Sequence, residues 1–193
     1  MSGYHISALR PEDIIPRLGK GESHWKRGRS AFELSHRWMH SDGFPESVQK
    51  VLKQLPSWSQ AKILDAFFER DTDLKSRGRP SQTDLLVLAQ MPQGNGVIAV
   101  EGKVDEPFDK IVRDWLQGDG QSDASGRSTR LNGLCATLGL PLERSKGLFY
   151  QLLHRTCAAI YEAQSYGFPQ AIMMVDRKST RLNSSHVKRS RMP

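Results

Sequence analysis

The sequence is poor in cysteine and has no long apolar run, and both absences narrow the class of protein. Cys135 and Cys157 are the only cysteines among 193 residues and are not spaced as metal ligands, so we expect two reduced, buried thiols. No run of 18 apolar residues occurs, which argues against a transmembrane helix. The N-terminus lacks a basic region followed by an apolar stretch, unlike a secretion signal. We therefore expect a cytoplasmic protein with no membrane partner.

Acidic residues are outnumbered by basic ones, but the excess is unevenly distributed. The chain has 28 Lys and Arg against 21 Asp and Glu, a net charge of +7, of which +5 lies in residues 176–193 and only +2 in residues 1–175. Residues 176–186 back-translate to a common sequencing adapter, and residues 190–193 fit its continuation. We therefore predict that residues 176–193 are a disordered, non-native tail and that the natural chain continues differently after Val175. A natural basic arm that binds a polyanion is the alternative.

The rest of the chain is typical of a single domain. Its length and its apolar content of 37% suffice for one sizeable core. We predict one domain over residues 1–175, in which residues 1–23 form a loosely ordered arm. Residues 118–126 are rich in Gly, Ser and Asp and are predicted to form a mobile loop.

Hydrophobic periodicity predicts helices on both sides of a group of strands. Ser30 and Glu33 have the spacing of a capping box and predict a helix over residues 30–40. Residues 81–89 and 97–104 are short, aliphatic and separated by turn-forming residues, so we expect them to pair as a hairpin. The element order favours an α/β fold in which helices cover a mixed sheet. The other predicted elements are helices over residues 45–55, 105–115, 129–138 and 143–166, a strand over residues 63–69 and a buried strand over residues 171–175. The apolar run over 63–69 is also compatible with a helix.

Two charged residues interrupt the apolar strand predicted over residues 97–104. Side chains alternate across a strand, so Glu101 and Lys103 share a face with Val97 and Ala99. Taking an ion out of water costs several kcal/mol, and a buried ion pair often stabilises a protein less than apolar residues of the same volume. We therefore expect this pair to serve chemistry. An ion pair on a half-exposed strand is the alternative.

Asp84 adds a second carboxylate near the start of the preceding strand. If the two strands form a hairpin, Asp84 lies at the same end of the sheet as Glu101 and Lys103. Two carboxylates suit Mg²⁺ or Mn²⁺, which keep water ligands for a substrate phosphate. A neighbouring lysine can orient or deprotonate the attacking water and offset charge in the transition state. Glu69, at the end of an earlier strand, is expected to be solvated.

At these residues the sequence resembles the PD-(D/E)XK phosphodiesterase superfamily. In that superfamily an acid opens the second core strand and an acid-x-Lys triplet lies in the third. Asp84 matches the first acid, and Glu101, Gly102 and Lys103 match the triplet. The resemblance implies a restriction-endonuclease-like fold with an α-β-β-β-α-β core. It covers residues 24–175, and three segments also resemble a bacterial family of unknown function within the superfamily: residues 81–84, 99–108 and 150–156.

The resemblance also implies an activity and a set of site residues. The expected activity is metal-dependent hydrolysis of phosphodiester bonds in nucleic acid, DNA rather than RNA. Asp84, Glu101 and the backbone carbonyl of Gly102 would bind Mg²⁺ or Mn²⁺, and Lys103 would position the attacking water. This set of four residues is the candidate catalytic and metal site.

Three further residues are candidate accessory residues. Glu33 matches a first-helix acid that some superfamily members use at the metal, although a capping box also explains it. Gln151 and His154 lie about one turn apart on a predicted helix and share a face, and a histidine that only packs in the core is the alternative for His154. The Gln-x-x-x-Tyr signature of the exonuclease branch is absent, which leaves the branch of the superfamily open.

The alternative to an enzyme is a catalytically inactive protein of the same fold that acts as an interaction or binding module. The charge of +2 on residues 1–175 favours this alternative, because nucleases that grip duplex DNA gain affinity from many cationic contacts. A binding module of this kind would have no metal affinity.

Overall fold

A four-stranded mixed sheet forms the centre of the part of the chain that the structure describes. The structure is a computed structural model, and it describes residues 8–19, 21–117 and 124–178. The strands lie in sequence order across the sheet; the first three are antiparallel neighbours, and the fourth is parallel to the third. Their bounds are β1 Lys62–Thr72, β2 Ser81–Met91, β3 Gly94–Lys103 and β4 Gln170–Arg177.

Helices flank this sheet, which confirms the prediction of an α/β fold with a helix-covered mixed sheet. None of the helices in the described ranges is long and apolar enough to cross a membrane. A 3₁₀ helix over Pro11–Arg17 precedes the first α-helix, and its Ile14 is buried in the core. The α-helices are α1 Ser30–Met39, α2 Glu46–Leu52, α3 Val112–Gln117, α4 Ala124–Leu138, α5 Leu142–Ser145 and α6 Tyr150–Ser165.

The two faces of β3 pack against different helices. Ile98 and Val100 face an apolar core to which α1 and α2 contribute. Val97 and Ala99 face the other way and pack with Ala159 of α6. The predicted hairpin of β2 and β3 and the predicted alternation along β3 are both confirmed, so the odd-numbered side chains of β3 point toward α6.

A short backbone pairing accompanies the late start of one predicted helix and the interruption of another. Residues 105–110 are not helical, and Ile111 pairs with Phe149 in an isolated β-bridge. The Val112 N–H donates to the Leu148 carbonyl. As a result α3 is only six residues long, and the single helix predicted over 143–166 is divided into α5 and α6.

Other predicted boundaries also differ from the structure. Arg29 and not Ser30 is the N-cap of α1, because the Arg29 carbonyl accepts the Glu33 N–H at 3.0 Å. The Ser30 N–H, which has no partner within the helix, donates to a Glu106 carboxylate oxygen at 3.2 Å. Residues 124–126, predicted to be part of a loop, begin α4. β4 is an edge strand with Val175 37% exposed, and is therefore not the buried strand that its apolar residues suggested.

The described residues cover only parts of the predicted arm, loop and tail. In the arm, the 3₁₀ helix packs on the core. Residues 118–123 of the predicted loop and residues 179–193 of the predicted tail lie outside the described ranges. The two cysteines, Cys135 and Cys157, are buried free thiols, as predicted.

The close packing at Gly96 yields a first prediction. A Cβ atom at Gly96 would lie 2.6 Å from Trp58 Cη2 and 2.8 Å from Met91 Cε, and a buried indole ring cannot move away cheaply. We expect Gly96→Ala to lower the free energy of unfolding by about 1–3 kcal/mol, measured by urea denaturation. Gly147→Ala is the control, because a Cβ at Gly147 meets no atom within 4 Å; equal losses in the two variants would contradict the packing argument.

Candidate functional site

Asp84, Glu101 and Lys103 meet at one end of the β2–β3 hairpin. The last paired residues of the two strands at this end are Leu85 and Val100. Beyond this pair the Gly102 N–H donates to Asp84 Oδ2 at 2.8 Å. Lys103 Nζ lies 3.1 Å from Glu101 Oε1. The structure thus brings the four sequence-predicted catalytic and metal residues together.

Glu101 is buried, and three donors surround its carboxylate. The residue is 2% exposed. Gln151 Nε2 donates to Oε1 at 2.5 Å, and Arg155 Nε donates to Oε2 at 2.6 Å. Together with the Lys103 ammonium, these groups satisfy both carboxylate oxygens, which is what a buried carboxylate requires.

Arg155 lies between the two carboxylates and was not identified from the sequence. Besides its bond to Glu101, its Nη2 is 3.9 Å from Asp84 Oδ1, and its Nη1 donates to Ser81 Oγ at 2.8 Å. The signal that could have revealed it is the spacing of Gln151 and Arg155. Residues four apart on a helix share a face, and α6 turns this face toward Glu101.

Glu69 belongs to the same end of the sheet, so the prediction that it is solvated is wrong. On β1 its neighbours Phe68 and Arg70 pair with Leu85 and Thr83 of β2, which puts Glu69 opposite Asp84. Glu69 is only half-exposed and has a φ of 52°. Such a positive φ is uncommon for a residue other than glycine and costs about 1 kcal/mol or more.

The carboxylates of Glu69 and Asp84 share a cleft of about 350 Å³ beside α1. Burial and the neighbouring Glu101 carboxylate raise the pKa of Asp84 to about 7, although the positive charge of Arg155 opposes them. Burial and the Asp84 carboxylate likewise raise the pKa of Glu69 to about 8. Three carboxylates therefore share two cations, Arg155 and Lys103. As the pH falls toward neutral, a carboxyl group of this cluster becomes protonated.

The three candidate accessory residues lie in different places. Gln151 contacts Glu101 directly. His154 is one step removed, with Nδ1 2.9 Å from Ser81 Oγ; its burial and the nearby Arg155 lower its pKa to about 3, so it is neutral. Glu33 lines a cavity of about 450 Å³ that Gly102 and Lys103 also line. Its Oε1 accepts the Gly28 N–H at 2.8 Å, which helps to fix the start of α1.

The residue types at this site fit a magnesium ion, but a cation of the protein, Arg155, already lies beside two of the carboxylates. No group of three Asp, Glu, His or Cys side chains in the described ranges is arranged to hold a metal. Mg²⁺ needs only one or two carboxylates when water and phosphate supply the other ligands, and Asp84 is 20% exposed. However, the Arg155 guanidinium now neutralises both Asp84 and Glu101, so a bridging ion must displace it from at least one of them.

The fold and this cluster define an α/β domain with a group of carboxylates at one end of its sheet. The chain belongs to a family described as a domain of unknown function (DUF6946), whose family model matches residues 7–183. No curated protein and no solved structure matches the chain.

The raised pKa of Glu69 yields a second prediction, on stability against pH. A carboxyl group whose pKa is higher in the folded than in the unfolded state contributes stability that is complete below pH about 4.5 and is lost as the pH rises toward 8. Glu69→Gln removes this loss. We expect the variant to be more stable than the wild type at pH 8 by about 2 kcal/mol, with the difference gone or reversed at pH 5, measured by urea denaturation.

The matched control is Glu143→Gln, whose carboxylate is 78% exposed and should change stability little at either pH. A Glu69→Gln protein with the same pH dependence of unfolding as the wild type would contradict the crowding of charge at this site.

Proposed function

We propose that this protein is a metal-dependent phosphodiesterase that hydrolyses nucleic acid. The observation that carries the proposal is the gathering of Glu69, Asp84 and Glu101 from three neighbouring strands beside Lys103, with Glu69 and Asp84 lining a cleft. This arrangement raises the pKa values of two of the carboxyl groups and so costs stability, and strongly perturbed groups in a cleft are typical of functional sites.

Each residue has a role that its position supports. Asp84 and Glu101 would hold Mg²⁺ or Mn²⁺ and the Gly102 backbone keeps the Asp84 carboxylate in place. When bound, the ion supplies an activated water and offsets charge on the phosphate. Lys103, which is 11% exposed and adjacent to Glu101, would orient that water. Gln151 fixes the Glu101 carboxylate.

The topology supports the finer proposal of a restriction-endonuclease-like fold. A helix precedes three antiparallel strands in sequence, and α6 then leads to β4, which is parallel to β3. This is the α-β-β-β-α-β order that the resemblance implies. DNA is the proposed substrate because the same resemblance implies it.

One observation favours a second candidate function, a catalytically inactive binding module. The Arg155 guanidinium lies where a bridging ion would lie, within 2.6 Å of a Glu101 oxygen and 3.9 Å of an Asp84 oxygen. If it is the permanent counter-ion of both carboxylates, the site needs no metal and the protein binds its partner without cutting it.

A third prediction tests hydrolysis. With Mg²⁺ the wild type should cleave labelled single-stranded and duplex DNA, and EDTA should abolish cleavage. Lys103→Ala should lower the rate by about 100-fold or more, because a positioned proton-transfer or water-orienting group contributes about 10²–10⁴-fold. The exposed Lys53→Ala variant is the control. Wild-type rates in Lys103→Ala would refute the role of Lys103.

A fourth prediction separates the two candidate functions through Mn²⁺ binding. We expect calorimetric titration to show Mn²⁺ binding to the wild type and its loss in Asp84→Asn. Arg155→Gln leaves Glu101 without its buried partner and should lower stability by about 3–5 kcal/mol. Mn²⁺ should restore much of that stability and bind this variant more tightly than the wild type, because the competing cation is gone.

The inactive module predicts a different pattern. In that case Mn²⁺ neither binds the wild type nor restores Arg155→Gln, whatever the variant's stability. Arg155→Lys, which retains one positive charge, provides the same comparison if Arg155→Gln does not fold. Arg144→Gln, an exposed arginine on α5, is the control for loss of charge alone.

A further inference from the structure

A cavity of about 530 Å³, here named the arginine cavity, lies beside the acidic cluster and has the opposite charge. Four arginines and two aromatic rings line it, and none of the described residues that line it is acidic. Its volume is within the range of about 300–1,000 Å³ that is typical of small-molecule sites. The four arginines are Arg77, Arg79, Arg127 and Arg130, and the two rings are Trp115 and Tyr150.

The arginine cavity and the acidic cluster are joined through Ser81. Its Oγ accepts a hydrogen bond from Arg155, which contacts Glu101 on one side. The same oxygen lies 2.9 Å from His154 Nδ1, and His154 lines the arginine cavity on the other side. Because His154 and Arg155 are consecutive on α6, the two sites are neighbours that share one helix.

Arg130 anchors the loop that carries two exposed arginines. Its guanidinium donates to the carbonyls of Arg77 and Arg79 at 3.2 and 2.8 Å and to Tyr150 Oη at 2.7 Å. Gly78 has a φ of +112°, and a Cβ atom there would lie 2.8 Å from Arg130 Nη1, so only glycine permits this approach. The side chains of Arg77 and Arg79 are exposed and form no ion pair with the described residues.

The aromatic rings at the arginine cavity form an ordered stack. Trp115 lies on Tyr150 with 3.8 Å between ring centroids and an interplanar angle of 8°. The Arg127 guanidinium carbon is 5.7 Å from the Trp115 centroid, and Arg127 donates to the Trp115 carbonyl at 2.7 Å. Arginines that bind phosphate, next to rings on which a base can stack, are the combination that proteins use for single-stranded nucleic acid.

We propose that the arginine cavity binds the phosphate and base of a single-stranded nucleic-acid segment next to the bond that the acidic cluster would cleave. The reference to cleavage rests on the proposed function, whereas binding in the cavity requires no metal. A single strand fits better than a duplex, because the bases of a duplex are stacked on one another and offer no face to the Arg127 guanidinium over Trp115 or to the rings beside it.

The experiment measures binding of fluorescein-labelled dT12 to the full chain by fluorescence anisotropy in EDTA, which removes metal and cleavage from the measurement. We expect the double variant Arg77→Gln/Arg79→Gln to bind about tenfold or more weakly than the wild type. Its slope of log K against log salt should be smaller by about 1.4, since each phosphate contact on a single strand contributes about 0.7.

The matched control is Lys53→Gln/Lys62→Gln, which removes two exposed charges elsewhere and should change the affinity less than twofold. Residues 176–193 are the same in every variant, so their contribution cancels. An abasic strand of the same length should bind the wild type at least about fivefold more weakly than dT12, because base stacking is lost. This comparison of the two strands uses only the wild-type protein and does not depend on the folding of a Trp115 variant.

The outcomes separate the arginine cavity from the proposed function. Weaker binding in Arg77→Gln/Arg79→Gln supports the cavity even if the wild type cleaves no DNA, a result that would remove only the phosphodiesterase. Three results would overturn the binding role of the cavity: no binding of dT12 in EDTA, equal losses of affinity in the arginine and lysine double variants, or tighter binding of a duplex than of dT12. Equal binding of the abasic strand would overturn the stacking role.

Discussion

The buried pair of Glu101 and Arg155 is the interaction on which the end of the sheet depends. Glu101 is fixed on β3 and Arg155 on α6, so the bond of 2.6 Å between them sets how α6 lies across the hairpin. Breaking such a pair removes one of the two cations beside the buried Glu101 carboxylate, which is more costly than never having placed the charge there. The same guanidinium reaches Ser81 and approaches Asp84, so one cation on α6 orders groups from two strands.

The balance of charge around this pair indicates that the acidic cluster does not stabilise the fold. Arg155 and Lys103 could neutralise Glu101 and Asp84, but Glu69 adds a third carboxylate to the same end of the sheet. The excess negative charge is reflected in the raised pKa values of Glu69 and Asp84. A fold built only for stability would gain from a glycine at position 69, because the backbone there has a positive φ.

The sequence predicted those parts of the site that follow from local pattern. Strand alternation and a hairpin turn suffice to place Asp84 next to Glu101 and Lys103, because both depend on residues close in sequence. Glu69 and Arg155 depend on the register of β1 against β2 and on the rotation of α6, which are set by packing between distant segments. The division of the predicted 143–166 helix has the same origin, since its cause is a pairing of residue 149 with residue 111.

The distribution of charge on the two sides of α6 changes what the net charge implies about a polyanionic partner. A net charge of +2 over residues 1–175 argues against a polyanionic partner only if the charges are mixed. Here they are segregated: consecutive residues of α6 face an acidic cluster on one side and the arginine cavity on the other. At an ionic strength near 0.15 M interactions between exposed charges are screened over about 8 Å, so a phosphate in the arginine cavity responds mainly to the nearest arginines. Local segregation would therefore determine the affinity proposed for this surface more than the total charge does.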